Sequence, residues 1–386
     1  MTSLPYTRLS AWYFCYFAIV GTISPYWTLY LHSLNFSASE IGWVAASLFV
    51  TKIVAPNLWA RAGERWGRMT LVRLGCLLAF LLFLPIFITR HFVPVLLVCL
   101  LFSFFWNAVL ASWETLTLQY LRGRPERYSQ VRLWGSLGFT AAVILLGYCF
   151  EHYTIGWVPP AIALLLALVW LVSTRVNEPE AAADTAASAG RSPLGLGIVL
   201  FLLAQALLQI SHGAYYTFFS LYLEQNHYSR TAIGLLWALA VAAEIILFVY
   251  MYRLLERYNV YHLLLISLIL TALRWWLTAF LVDQPLFIAA AQLLHAFSFA
   301  TAHACTVEII RRLYRGSYQA RGQALYSSMG FGLGGALGAL ISGYLWPWGA
   351  ELTFLVAALS SMVAALLIVL VRKRLEGERV SVVASG

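Results

Sequence analysis

Charge is what this chain has least of. Of its 386 residues only 11% are Asp, Glu, Lys or Arg, whereas 61% are hydrophobic and the mean hydropathy is +0.78. No soluble core needs such a composition, so water-soluble fold classes are excluded. Cysteine is scarce too. Cys15, Cys76, Cys99, Cys149 and Cys305 lie far apart without metal-like spacing and are read as buried apolar residues. His295 and His303 have no third and fourth ligands or nucleophile-and-base set to go with them, which argues against an enzyme and against a metal centre. Gly330, Gly332, Gly334, Gly335 and Gly338 lack a phosphate-binding context and read as a surface for close helix approach. No bound cofactor is implied. A cleavable signal peptide is missing as well: the first apolar stretch is as long as a membrane span and has no small-residue cleavage site, so it is expected to be its own targeting signal.

What is present is a succession of apolar runs of about 20 residues, the length that crosses a bilayer. They fall near 10–31, 40–60, 70–89, 93–120, 130–150, 155–174, 195–223, 231–252, 260–282, 286–310, 322–345 and 350–371. Joined by short loops, all should be helices, because backbone in lipid must satisfy its own hydrogen bonds. The expected fold class is an all-α membrane protein with twelve transmembrane helices. Basic residues report its orientation. All but four of the 25 lysines and arginines lie on one side; Arg90 and Arg230 lie in loops of the other, and Lys52 and Arg274 lie within spans. The net charge of +9 therefore marks topology rather than nucleic-acid binding, and the positive-inside rule puts both termini in the cytoplasm of a chain spanning the cell inner membrane.

A repeat organises the spans. The residues around Gly21 recur around Gly213, an offset of 192. That offset also relates Leu29-Tyr30-Leu31 to Leu221-Tyr222-Leu223, Ile41-Gly42 to Ile233-Gly234, Glu64-Arg65 to Glu256-Arg257, and Gly138-Phe139 to Gly330-Phe331. The chain is read as two pseudo-symmetric six-helix bundles, residues 1–175 and 194–373. A small-residue, acidic linker at 176–193 joins them, and a short polar tail at 374–386 is expected to be disordered. A duplicated membrane unit of this size points to a transporter of a small molecule, with its site near the midplane where the halves meet. A monomer suffices, because the duplication already supplies both halves.

A charge inside a span costs several kcal/mol unless it faces a cavity or a partner, so each one is a functional candidate. Lys52, Glu114, Glu244, Arg274, His212, His295 and His303 qualify, with Arg132 and Glu308 near span ends. Helical spacing groups them with other polar residues. Gln205, Gln209, His212 and Tyr216 make one stripe, and Gln292, His295, Phe299 and His303 make another. Asn107 with Glu114, and Trp237 with Glu244, share faces seven residues apart. Together the stripes read as the lining of an aqueous cavity; the bland alternative is hydrogen bonding that glues the bundle. Tyr13, Tyr16, Tyr26 and Trp27 on the first span, with Tyr215 and Tyr216 on the seventh, would give that cavity aromatic walls suited to a ring-bearing substrate.

The short loop after the second span carries a resemblance. Ala60, Glu64, Arg65, Gly67 and Arg68 resemble the charged loop motif of the major facilitator superfamily, with alanine in place of its first glycine and glutamate in place of its aspartate. The resemblance implies the major facilitator fold, and a conformational latch made by Glu64, Arg65 and Arg68. Glu114 with Arg132 looks like the acid and arginine of the lactose-permease group, and Glu244, Arg274 and His295 look like its acid, arginine and histidine. Two positions depart: Ser298 stands where that group has a carboxylate, and Phe139 where it stacks a sugar on tryptophan. Over nearly the whole chain VRLWGS, SHGAYY, ALRWW and LLHAF are similar to the phenylpropionate permeases, near the nucleoside:proton symporters. That similarity implies uptake of an aromatic monocarboxylate.

Lys52, Arg132 and Arg274 against Glu114 and Glu244 leave one net positive charge, which suits a monoanion. Arg132 or Lys52 is expected to hold the carboxylate, with Glu114, Tyr26, Asn107, His212 and Tyr216 also binding substrate. Glu244 is expected to carry the proton, with Arg274 and His295 tuning or relaying it and His303 on the same stripe. The proton gradient would be the energy source. A nucleoside or sugar symporter, a drug:proton antiporter and a non-transporting sensor stay open as alternatives.

Overall fold

The computed structural model describes residues 5–121, 126–178, 195–314 and 318–384. Twelve helices among them are long and apolar enough to cross a membrane. The first six are α1 (Tyr6–Ser33), α2 (Ala38–Trp66), α3 (Arg68–Phe83), α4 (Phe92–Leu121), α5 (Glu126–His152) and α6 (Val158–Thr174). They are followed by α7 (Leu196–Gln225), α8 (Arg230–Arg257), α9 (Val260–Phe280), α10 (Pro285–Leu313), α11 (Gln319–Trp348) and α12 (Ala350–Ala384). The expected all-helical membrane fold is thus the observed one. No strand occurs among the described residues.

Local chemistry explains several boundaries. Ser37 starts α2 with a reciprocal capping box: its hydroxyl accepts from the Glu40 N–H at 3.3 Å, and its own N–H donates to Glu40 Oε2 at 2.8 Å. Gly67, at φ 83°, breaks α2 from α3, and Asn259, exactly one repeat later in sequence, caps α9 by accepting from the Tyr261 N–H at 2.9 Å. Among the described residues Asn35 and His227 are the positive-φ residues other than glycine, at 63° and 65°, and they too stand one repeat apart. The duplication therefore preserves backbone geometry even where the side chains have diverged.

Two spans are not regular. In α10 a π-helical segment at Ala296–Thr301 interrupts the α-helix, and in α11 another runs from Ser327 to Gly334. Neither was legible from the apolar pattern, which a single wide turn does not disturb. The tail also differs from expectation. Instead of a disordered segment, α12 runs on to Ala384, because Arg372 through Arg379 contains no proline and continues with helix-forming Arg, Leu and Glu. Most of the linker read at 176–193 lies outside the described residues.

By contacts the chain divides into two units: Met1–Asp184 with Tyr216–Ala238, and Thr185–Tyr215 with Leu239–Gly386. The repeat alone assigns all of α7 and α8 to the second bundle. The segment Tyr216–Ala238 goes with the first instead because it is bonded to α5. Arg230 donates to the Phe150 carbonyl at 2.8 Å, and the Thr231 N–H donates to Glu151 Oε2 at 2.8 Å. Cys149 in the same helix corrects another expectation: it is exposed, and Cys15 is only partly buried.

Glycine sets the tightest helix contacts within each unit. In the first, a Cβ on Gly21 would sit 2.7 Å from the Phe139 carbonyl oxygen, and one on Gly138 would overlap the backbone of Phe14. In the second, a Cβ on Gly213 would overlap Gly338, and one on Gly334 would sit 2.6 Å from the Ala206 oxygen. The α1–α5 and α7–α11 pairs thus use the same device, and the glycine run on α11 approaches α7 as expected. Replacing Gly213 by valine should lower stability by at least the ~1–3 kcal/mol typical of overpacking. Gly156→Ala, whose Cβ meets only Thr154 atoms at 3.6 and 3.8 Å, should stay within about 0.5 kcal/mol. Thermal midpoints of the two variants in detergent check the contrast.

Candidate functional site

The second unit contains a buried polar cluster assembled by α7, α8, α9 and α10. Its centre is Arg274 on α9, which has 0% of its surface exposed. The guanidinium lies 4.1 Å from the Tyr215 ring and 4.4 Å from the Trp275 ring. Its edge donates to three neutral oxygens of α10: the Ala291 carbonyl at 3.0 Å from Nε, Ser298 Oγ at 3.0 Å from Nη1 and Gln292 Oε1 at 3.5 Å from Nη2. Ser298, the serine at the position where a carboxylate was expected by resemblance, is therefore a ligand of the arginine. Tyr215 closes the ring of contacts by donating to Gln292 Oε1 at 3.0 Å.

Glu244 meets His295 beside this centre, with Oε2 3.4 Å from Nε2. The histidine continues into a file of rings. Phe299 stacks on it at 5.6 Å and His303 stacks on Phe299 at 6.2 Å, and His303 Nδ1 lies 3.1 Å from the Tyr326 hydroxyl. Of the proton-coupling candidates, Glu244, Arg274 and His295 are brought together, while His303 stands two turns along the same helix.

The first unit holds a second cluster on α1, α4 and α5. The Arg132 guanidinium lies 3.8 Å over the Phe17 ring and 5.7 Å from that of Tyr13. Glu114 is within electrostatic reach of Arg132, accepts a hydrogen bond from Tyr128 and lies near Tyr13. Among the described residues Glu114 and Arg132 make no ion pair within 4 Å. Their sequence pairing places them in one neighbourhood, with an aromatic shelf under the arginine that spacing did not disclose. Phe17 lies one turn beyond Tyr13, and that i, i+4 step was the available signal. Lys52 on α2 has its Nζ 5.0 Å from the Phe49 ring.

Several residues expected to line a cavity are instead bonded inside the bundle. Asn107 donates to the Leu48 carbonyl at 2.9 Å and to Thr51 Oγ1 at 2.8 Å, tying α4 to α2. Gln205 accepts from Thr306 at 2.9 Å. His212 Nδ1 meets the Leu208 carbonyl at 2.8 Å and its ring stands edge-on to Trp275. Tyr26 is fully buried and donates to the Val143 carbonyl, and Tyr13, Tyr16 and Trp27 are buried too. Tyr216 is half-buried beside Trp237. At the loop after α2 the side chains of Glu64 and Arg65 are exposed. The carboxylate at the start of α3 belongs to Glu178, which accepts from the Arg68 N–H at 2.9 Å. Glu308 is clasped by Arg311 and Arg312 at 2.7 and 2.5 Å.

Twelve spans, an internal repeat and charge clusters in both halves fit a multi-pass transporter of the major facilitator superfamily. The chain belongs to the MFS_1 like family, whose model matches residues 6–356. It is 28% identical over 366 residues to the probable 3-phenylpropionic acid transporter of Escherichia coli (strain K12), covering 93% of this chain and 96% of that one. It is also 28% identical over 386 residues to the maltose permease of Geobacillus stearothermophilus, covering 95% of each. The nucleoside transporter NupG superposes with a TM-score of 0.82 at 17% identity, over 95% of this chain and 99% of that one. A D-xylose-proton symporter superposes with 0.69 at 14%, over 94% and 95%. The two solved structures bear on fold alone.

Arg274→Lys tests the cluster as a construction. An ammonium cannot reach three oxygens in a fork or lie flat between two rings. The variant should lose about 1–3 kcal/mol through buried acceptors left unmet, read as a lower thermal midpoint than the parent's. An unchanged midpoint would show that the guanidinium contacts contribute nothing to the fold.

Proposed function

We propose that this protein is a proton-coupled symporter that imports an aromatic monocarboxylate, such as 3-phenylpropionate, by alternating access. The observation that carries the substrate class is Arg132. Its face lies on Phe17 and near Tyr13, and among the described residues no carboxylate lies within 4 Å of it. A guanidinium so arranged can take a carboxylate along its edge with two parallel hydrogen bonds while the aromatic shelf accepts a ring. The relative with a 3-phenylpropionic acid transporter's name supports the same class. Lys52 adds a second cation in that unit, and Glu114 would set the orientation of the bound acid.

Proton coupling rests on Glu244 and His295. In this reading Glu244 takes up and releases the proton as its distance from the fixed charge of Arg274 changes through the cycle. His295, touching Glu244, is the side chain best suited to relay it. In this reading the energy comes from the proton gradient, no cofactor takes part, and a monomer spans the inner membrane with cytoplasmic termini. Glu64, Arg65 and Arg68 would act as the latch, with Glu178 joining them.

One observation favours a second reading. The maltose permease is as similar in sequence as the aromatic-acid relative, so a neutral polyhydroxyl solute bridging Glu114 and Arg132 competes with the carboxylate. Uptake of labelled 3-phenylpropionate into proteoliposomes, with and without an inward proton gradient, separates them. The expected result is gradient-driven accumulation that a protonophore collapses. Glu244→Gln should abolish accumulation yet retain solute exchange, and Arg132→Lys should weaken apparent affinity about tenfold, equal to ~1.4 kcal/mol. Gradient-driven uptake of a sugar or nucleoside in place of the acid would establish the second reading.

A further inference from the structure

Gln292 on α10 is fully buried, and its amide orientation is fixed by its neighbours. Tyr215 and Arg274 both donate to it, at 3.0 and 3.5 Å, so the atom between them must be the carbonyl oxygen. Turned over, the amide would press its own N–H groups against a guanidinium that can only donate. The NH2 group therefore faces the other way, and no protein atom among the described residues accepts from it. One turn along the same helix, His295 is 5% exposed and has Nε2 on Glu244, while its Nδ1 also has no protein partner. Leaving such groups unmet costs about 1–3 kcal/mol each. Side chains three apart on a helix are neighbours, with Cβ atoms ~5–6 Å apart, a gap that one water can bridge.

We infer that Gln292 and His295 hold a buried water, which accepts a hydrogen bond from Gln292 Nε2 and donates one to His295 Nδ1, and that this water is the port through which a proton reaches the Glu244–His295 pair. The inference rests on the proton-coupled reading above and adds a positioning residue to it. With Glu244 ionised and His295 neutral, the imidazole proton sits on Nε2 toward the carboxylate. A proton arriving on the water breaks its O–H bond as Nδ1–H forms; Nε2–H breaks as the Glu244 Oε2–H bond forms. The carboxyl ends neutral, the imidazole ends neutral as the other tautomer, and release runs the same steps backward. The proton gradient supplies the proton. The charged and titratable groups around this imidazole are Glu244 on α8, Arg274 on α9, and His212 and Tyr215 on α7. Arg274 is held between rings and three oxygens, so in this scheme the proton moves and the guanidinium stays.

Difference infrared spectra of the full-length protein in liposomes, recorded across a pH step in ordinary and in oxygen-18 water, detect the site directly. The parent should show a water O–H band that shifts with the isotope. Gln292→Met and His295→Gln should each lose it, the latter keeping an amide toward Glu244 but no Nδ1. In uptake assays, the ratio of gradient-driven accumulation to counterflow should fall about tenfold in Gln292→Met, a split that a merely structural role would not produce. A band absent from the parent, or persisting in both variants, overturns the inference. If Gln292→Met does not fold, His295→Gln decides alone. A parent that accumulates no solute under a gradient refutes proton coupling, whereas the isotope-sensitive band still decides whether the water site exists.

Discussion

A guanidinium with none of its surface exposed, inside a segment that crosses a bilayer, must be solvated by the protein. Arg274 obtains that solvation from two aromatic faces and from three oxygens that carry no formal charge. Dipoles and rings thus take up part of the cost of burying that charge, a cost that an ion pair alone often fails to offset. It also leaves Glu244 in contact with a titratable imidazole. The positions of α7, α9 and α10 in this unit follow from meeting those contacts at once, and the acid on α8 is set beside an electrostatic fixture.

The first unit handles its cation differently. Arg132 rests on Phe17 near Tyr13 and does not pair with Glu114. An arginine supported through its face keeps its donor edge for something else, whereas Arg274 has its edge filled by α10. The two halves thus share a fold and a repeat but hold their arginines differently, one by its face on a ring and the other also by its edge on α10. Glycine contacts let both halves be built alike: Gly21 and Gly213 bring α1 to α5 and α7 to α11 at backbone distance.

The spans, their number and the duplication were legible in the sequence because each follows from a single strong constraint: apolar length, arginine distribution and an offset that never slips. Among the charged candidates, Glu244, Arg274 and His295 were also legible, since a charge in a span has few reasons to exist. Polar stripes gave faces without partners. Gln205, Asn107 and His212 fall at cavity-like spacing, yet their hydrogen bonds go to neighbouring helices or to the preceding turn. Spacing gives the face of a helix and not what lies opposite it. The roles of Ser298, Glu178 and Tyr216–Ala238 depend on partners 24, 110 and 80 residues away, and no one-dimensional pattern encodes such pairings.

The wide turns in α10 have a geometric consequence. In an ideal α-helix each fourth residue advances about 40° around the axis, so rings at positions 295, 299 and 303 would wind through ~80°. Here they lie face to face, with interplanar angles of 17° and 12°. The π-helical stretch at Ala296–Thr301 falls between the first and last of them and changes the winding there, with side-chain torsions setting the planes of the rings. A cylinder with a fractional number of residues per turn cannot carry a straight seam. Across its six irregular residues α10 carries instead a file of stacked rings, which begins at the partly buried Glu244 carboxylate and ends at a tyrosine hydroxyl.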